Sequence, residues 1–202
     1  SDGAEIRAVP GSHSSSQKVA PDGAGGAFFG WTDERGTDRD IYMQRVLEKG
    51  DTCWAADGIP VCDFAGEQWF RGLCPDGSGG VIASWADYRG AAGNIYSQKV
   101  DGEGIEAWTA GGIAVCPSEY RQDYFDAVTD GAGGVIHCWT DYRNTDNDIY
   151  AHMTDFMGRS GYLPPVIMSV SDIPGDQGGS VRVLWDSSPL DHMSGEITHY
   201  TV

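Results

Sequence analysis

Three kinds of side-chain grouping in this chain could do chemistry. Asp38-x-Asp40 and Asp146-x-Asp148 are alternating carboxylates in polar stretches, a spacing that can turn several oxygens toward a calcium ion. They fall short of an EF-hand, with no third acidic position and no distal glutamate, and the middle copy has Ala92 and Asn94 instead. Calcium at Asp38, Asp40, Asp146 and Asp148 is one reading, and a solvated turn is the other. Trp69-Phe70-Arg71 and Tyr120-Arg121 with Tyr124 place aromatic rings beside cations and carboxylates, which suits stacking on a sugar and recognition of its hydroxyls. The same residues suit a strand packed between repeats. Asp33/Arg35, Asp87/Arg89 and Asp141/Arg143 set an acid and a base two residues apart. The aspartate can cap turn amides while the arginine bridges to a neighbouring repeat. The alternative is a ring of charges about a central ligand.

No catalytic residue follows from the sequence. It has no G-x-S-x-G elbow and no credible Cys/His nucleophile arrangement. Glycoside hydrolysis needs two carboxylates about 5–10 Å apart, and 30 acidic residues single out no pair. His137 stands where the other copies have Phe29 and Ala83, and reads as a core histidine before a catalytic one.

The elements that must hold these residues recur. Asp22 to Tyr42, Asp76 to Tyr96 and Asp130 to Tyr150 share D-G-x-G-G, then W-x-D-x-R, then [DN]-I-Y. Trp31, Trp85 and Trp139 are each 54 residues from the next, and these tryptophans are read as structural. A grouping that appears in every copy points to structure, since one ligand rarely needs three copies. The glycines supply positive φ in a turn. The motif is not a phosphate loop, because no Lys-Ser/Thr follows and a strand comes next.

In each copy an apolar strand (27–32, 81–86, 135–140) leads through a polar turn to a second strand (41–46, 94–100, 148–154). A short hairpin follows near Trp54 and Val61, and a fourth strand is expected at 69–73 within the linking segment. This predicts an all-β fold, a β-propeller-like array of three four-stranded repeats, with a β-trefoil as the alternative. The repeats fall near 22–74, 75–128 and 129–162, and 1–20 read as the tail of a preceding repeat. The repeat domain spans 1–163. Residues 164–202 leave the pattern and read as strand, turn, strand over 166–170 and 181–185, with a third strand at 197–202.

Composition narrows the partners. A net charge of −17 argues against nucleic acid or an anionic membrane surface. The sequence shows no transmembrane run and no C-x-x-C pair. Five cysteines leave at least one unpaired within the chain. Cys62 and Cys116 share a repeat position and read as small buried apolar groups, while a Cys53–Cys62 cross-hairpin disulfide is a further reading.

The motif set D-G-x-G-G, W-x-D-x-R, [DN]-I-Y-x-[QH] and G-x-x-V-C resembles the tandem repeats of large secreted bacterial proteins, in which propeller-like arrays precede fibronectin-like segments. Residues 164–202 correspondingly resemble the opening strands of an immunoglobulin/fibronectin type III-like sandwich, with Trp185 in the strand of the core tryptophan. The resemblance covers about residues 2–162 and the tail, and carries no catalytic residues. It implies a fragment of a longer array in an extracellular or cell-surface setting. The functional expectation is a non-catalytic module for ligand binding or adhesion, toward carbohydrate or protein, stabilised by calcium if the acidic loops bind it. The alternative is a scaffold or appendage subunit that self-associates through blade edges, and the third reading is a propeller glycoside hydrolase.

Overall fold

A computed structural model describes residues 5–144 and 147–159, together with the backbone of two strands at 166–172 and 181–186. The described residues are all-β, with no helix among them, and none therefore has a helix long and apolar enough to cross a membrane. Proximity of Cα atoms divides the chain into two compact units, Ser1–Ser160 and Gly161–Val202.

The first unit holds three antiparallel sheets. Sheet 1 is β1 (Ser14–Pro21), β2 (Ala27–Asp33), β3 (Asp40–Val46) and β4 (Ile59–Cys62), in that order. Sheet 2 is β5 (Gln68–Pro75), β6 (Val81–Asp87), β7 (Asn94–Val100) and β8 (Ile113–Ala114). Sheet 3 is β9 (Gln122–Thr129), β10 (Val135–Asp141) and β11 (Asp148–Thr154). The first strands adjoin one another, β1 against β5 and β5 against β9. In the second unit, β12 (Val166–Asp172) pairs antiparallel with β13 (Val181–Asp186). The expected strand at 197–202, and the side chain of Trp185, lie outside the described residues.

The phase of the repeat differs from the expectation by one strand. Residues 69–73 do not close the first repeat. They belong to β5, which pairs with β6 from Gln68↔Asp87 to Pro75↔Val81. The reason is the D-G-x-G-G turn, which is an internal hairpin. Asp76 Oδ1 accepts the amides of Ser78 and Gly80 at 2.8 Å each, and Asp76 N donates to Gly80 O at 3.1 Å. Asp22 and Asp130 make the same bonds, so each turn ties a first strand to a second. Gly77 and Gly79 sit at φ +74 and +93, a region costly to a side chain. By the same logic 14–21 is β1, the first strand of sheet 1. Residues 5–13 take the place of the segments that lead into β5 and β9: His13 O accepts Glu34 N, as Glu67 O accepts Tyr88 N and Arg121 O accepts Tyr142 N.

Strand chemistry follows from stacking. All of β6 is buried on both faces, because sheet 2 lies between sheets 1 and 3. Val81, Ala83 and Trp85 join Phe28, Ile41, Met43 and Phe70 in one core, while Ala86 and Ile95 join Phe125 and Trp139 in the next. Strand β10 is covered on one face only: Val135, His137, Trp139 and Asp141 are buried, and Ile136 and Cys138 are exposed. Phe70 is the keystone of the first contact. Its ring lies so close to Gly30 Cα that a β-carbon there would collide with it, and its amide donates to Thr32 Oγ1 at 2.9 Å. Phe70→Ala should lower stability by about 3–5 kcal/mol, read as a fall in the denaturant midpoint.

Candidate functional site

The recurring acid–base pairs form one cassette in each sheet. Trp31, Trp85 and Trp139 point their indole N–H at the aspartate two residues on, at 2.7, 2.8 and 2.9 Å. Each aspartate Oδ1 accepts the backbone amide of the following arginine, Arg35, Arg89 or Arg143, at 2.9, 2.9 and 3.0 Å. The guanidinium folds back on the same carboxylate through Nε and Nη2. It also covers the tyrosine of [DN]-I-Y, 3.8 Å from Tyr42, 4.2 Å from Tyr96 and 4.0 Å from Tyr150. These partners hold the Asp33 carboxyl far below the usual range and bring Asp141 down to about 2.

The expected turn cap is therefore present, and the expected bridge between repeats takes a different form. Arg35 Nη2 donates to Asp57 O and Arg89 Nη2 to Gly111 O, both at 2.7 Å and both within their own sheet's loop. Contact with the preceding sheet is secondary: Arg89 reaches Cys62 Sγ at 3.1 Å and lies over the Phe64 ring at 4.5 Å. In sheet 1, Arg7 fills the corresponding place, with Nε 3.0 Å from Asp33 Oδ2. Every hydrogen-bonding site of these carboxylates is thus committed to the fold.

Among the described residues no three of His, Cys, Asp and Glu are gathered as metal ligands would be. Asp38 Oδ2 accepts the Gly66 amide at 3.0 Å, and Asp148 Oδ2 accepts Asn144 Nδ2 at 2.6 Å. Partial burial, with Asp63, Asp38 and Asp33 nearby, pushes Asp40 up to about 6. Asp146 lies outside the described residues. The five cysteines are unbonded, Cys53 and Cys62 included, so the cross-hairpin disulfide is not formed. Burial drives the Cys62 thiol up to about 12, which makes it inert.

The aromatic segments divide. Trp69 is half-buried against the core between sheets 2 and 3, with the Arg39 guanidinium 4.4 Å above its ring. Arg39 is itself held by Glu34 and Glu67 at 2.8 and 2.7 Å. Phe70 is buried and is not available to a ligand. Arg71 is exposed. On the approach to β9 the arrangement is opposite: Tyr120 is 52% and Tyr124 78% exposed. Arg121, also exposed, pairs with Asp123.

A backbone switch separates Phe70 from Tyr124. Each first strand has a bulge opposite the cassette tryptophan. In β5, Phe70 points inward and Arg71 outward. In β9, Tyr124 has φ +49, which turns its ring out and sends Phe125 into the core instead. The cause lies in the preceding sheet. Thr32 Oγ1 receives the amide of Phe70, but its counterpart facing β9 is Ala86, which has no hydroxyl. The Tyr124 amide takes Asp123 Oδ1 at 3.0 Å in its place.

Sequence reading also singled out His137, and it lies in a polar knot within the core. Nε2 is 2.9 Å from Ser84 Oγ and 3.1 Å from Ser97 Oγ, and the two hydroxyls are 2.9 Å apart. A serine–histidine contact can be a nucleophile and its base. Here the ring has no solvent exposure, and Nδ1 has no partner among the described residues to orient it. A shallow groove of about 310 Å³, lined by Asp22, Arg45, Glu48, Lys49 and Asp51, carries charges of both signs, and Arg45 is already paired with Asp22.

Burial, with His152 adjacent, lowers His137 to about 4. The unfolded chain takes up this proton near the ordinary imidazole value of about 6.5, so stability from neutral His137 is present above that pH and is lost as pH falls toward 4. The drop in melting temperature between pH 7 and pH 4.5 should shrink in His137→Gln. An unchanged drop would place the acid sensitivity elsewhere.

Neither a protein-family model nor a curated protein matches the chain.

Proposed function

We propose that the three sheets are successive blades of a β-propeller-like array, and that the chain is a secreted or cell-surface, non-catalytic module for ligand binding or adhesion. Support for blades comes from the adjoining first strands and from each repeat keeping its strands in a sheet of its own. A trefoil would share strands of all three units in one barrel. The extracellular setting rests on the motif resemblance and on the acidity of the chain.

The observation that carries the binding role is the outward turn of Tyr124. A positive φ at a non-glycine residue is unfavourable, and here it keeps an aromatic ring in solvent four residues from exposed Tyr120, with Arg121 between them. Rings and a guanidinium in one segment suit the apolar face and hydroxyls of a sugar, or a protein loop. An enzyme would need a free, enclosed acid or base, and the cassette carboxylates and His137 are committed to packing. The scaffold reading has its own support in the exposed apolar side chains of sheet 3, Ile136 and Ile149.

A glycan array with reducing-end detection tests the binding reading. Retention of at least one glycan without cleavage is expected. Tyr124→Ala should abolish that retention while leaving the melting temperature within about 2 °C, as surface substitutions usually do. New reducing ends that disappear with a carboxylate substitution would support the hydrolase instead.

A further inference from the structure

One turn that recurs in every repeat lacks its closing carboxylate in the first. The third strand of each sheet runs into a hairpin turn, 47–51, 101–105 and 155–159, at the same repeat position. The backbone is alike in all three. The first amide donates to the fifth carbonyl, Leu47 to Asp51 at 2.9 Å, Asp101 to Ile105 and Asp155 to Arg159 at 3.0 Å. The fourth residue is a glycine, at φ +91, +87 and +80. In the second and third turns the opening aspartate caps this backbone from its own side chain. Asp101 Oδ1 accepts the amides of Glu103 and Ile105, and Asp155 Oδ1 those of Met157 and Arg159, all at 2.9 Å. Asp22, Asp76 and Asp130 close the D-G-x-G-G turns in the same way.

The first turn opens with Leu47 instead. The amides of Lys49 and Asp51 stand where a carboxylate oxygen is met in the other five turns, and they have no acceptor among the described residues. Two amides aimed at one point form an anion site that the backbone sets in advance. The groove of about 310 Å³ lies at this turn, with Leu47 in its wall. Of its charges, Asp22 and Arg45 are paired at 2.9 Å, while Lys49, Glu48 and Asp51 are exposed. Access to the turn does not depend on what packs on sheet 1. The same turn of sheet 2, which has a sheet on either side, keeps Glu103 and Ile105 in solvent, Ile105 at 63%.

We propose that this turn binds the carboxylate of a uronic acid residue in a glycan. The sugar carboxylate accepts the Lys49 and Asp51 amides, as the aspartates of the sister turns do from within the chain, and the Lys49 ammonium is its counter-ion. Glu48 and Asp51 accept the sugar hydroxyls, and Leu47, 39% exposed, offers an apolar wall to the C–H groups of the ring. Both signs of charge in the groove are thereby used. An acidic peptide side chain would satisfy the amides equally but brings no hydroxyls to Glu48 and Asp51, whose charge then only repels it. Two exposed carboxylates beside the site keep the affinity for a single sugar in the millimolar range. The site belongs to sheet 1, whereas Tyr124 belongs to sheet 3, so this assignment and the aromatic one stand or fall separately.

Amide nitrogen–proton NMR spectra of the full 202-residue chain test this. The probes are methyl galacturonide, methyl galactoside as its neutral counterpart, and N-acetyl-aspartate methylamide as a peptide acid, each to tens of millimolar. The galacturonide should shift the Lys49 and Asp51 amides saturably, and the galactoside should not. Leu47→Asp supplies the carboxylate from the chain itself. Its Lys49 and Asp51 amides should move downfield with no ligand added, and the galacturonide should no longer shift them. Leu47→Ala, which adds no acceptor, should keep the response, and so should Tyr124→Ala. Absence of a saturable shift at the two amides would overturn the proposal, as would a response that survives in Leu47→Asp or is lost in Leu47→Ala. An equal response to the aspartate probe would overturn the assignment to a sugar in favour of an acidic peptide.

Discussion

The structure depends on a buried carboxylate used three times. The side chains of Asp33, Asp87 and Asp141 have no solvent exposure, and an ion in that setting is tolerable only when its oxygens are fully engaged. The sequence W-x-D-x-R supplies the partners from a single stretch: the indole N–H before the aspartate, then the amide and guanidinium after it. The guanidinium then reaches Asp57 O or Gly111 O, which fixes the loop returning from the third strand. That loop must pass against the tryptophan edge. A β-carbon at Gly58 would lie 2.6 Å from Trp31 and one at Gly112 2.5 Å from Trp85, so only glycine fits. One carboxylate therefore couples the strand pair, the turn and the returning loop of its own sheet.

Stacking adds the second layer of constraint and decides where function can sit. Residues of the cassettes and of the inter-sheet cores are committed to partners, and substitution there changes the fold before it changes any ligand contact. The segments between sheets are less constrained. Gln68 N donates to Arg39 O and Gln122 N to Gly93 O, so each linker is pinned where it enters the next strand. On either side of the pin, as far as the bulge, the side chains are free to differ: Glu67 and Trp69 flank it in one linker, Arg121 and Asp123 in the next. This is where the second linker displays Tyr120, Arg121 and Tyr124.

The all-β fold and the structural part of the cassette were legible in the sequence, because indole, carboxylate and guanidinium must keep their spacing to satisfy one another. The phase of the repeat was not. A periodic sequence can be cut at any point, and D-G-x-G-G resembles a boundary although its aspartate closes a hairpin. The linking strand at 69–73, the least repetitive stretch, accordingly reads as the fourth strand of the first repeat, although it pairs with β6 as the first strand of sheet 2. The opposite fates of Phe70 and Tyr124 were hidden for a subtler reason. They occupy the same repeat position, and what separates them is a hydroxyl on Thr32 that Ala86 lacks, a residue distant in sequence from both. His137 did stand out by breaking the repeat, but its serine partners could be identified only once sheets 2 and 3 were stacked.

The most direct test is the stability of Asp87→Asn, which keeps the shape of the central carboxylate and removes its charge. If that carboxylate organises its sheet, the substitution leaves the Arg89 guanidinium, only 20% exposed, without its counter-ion. The unfolding free energy should then fall by about 3 kcal/mol or more. The same substitution at exposed Asp63 should change it by less than about 0.5 kcal/mol. A loss at Asp87 no larger than that at Asp63 would contradict the account.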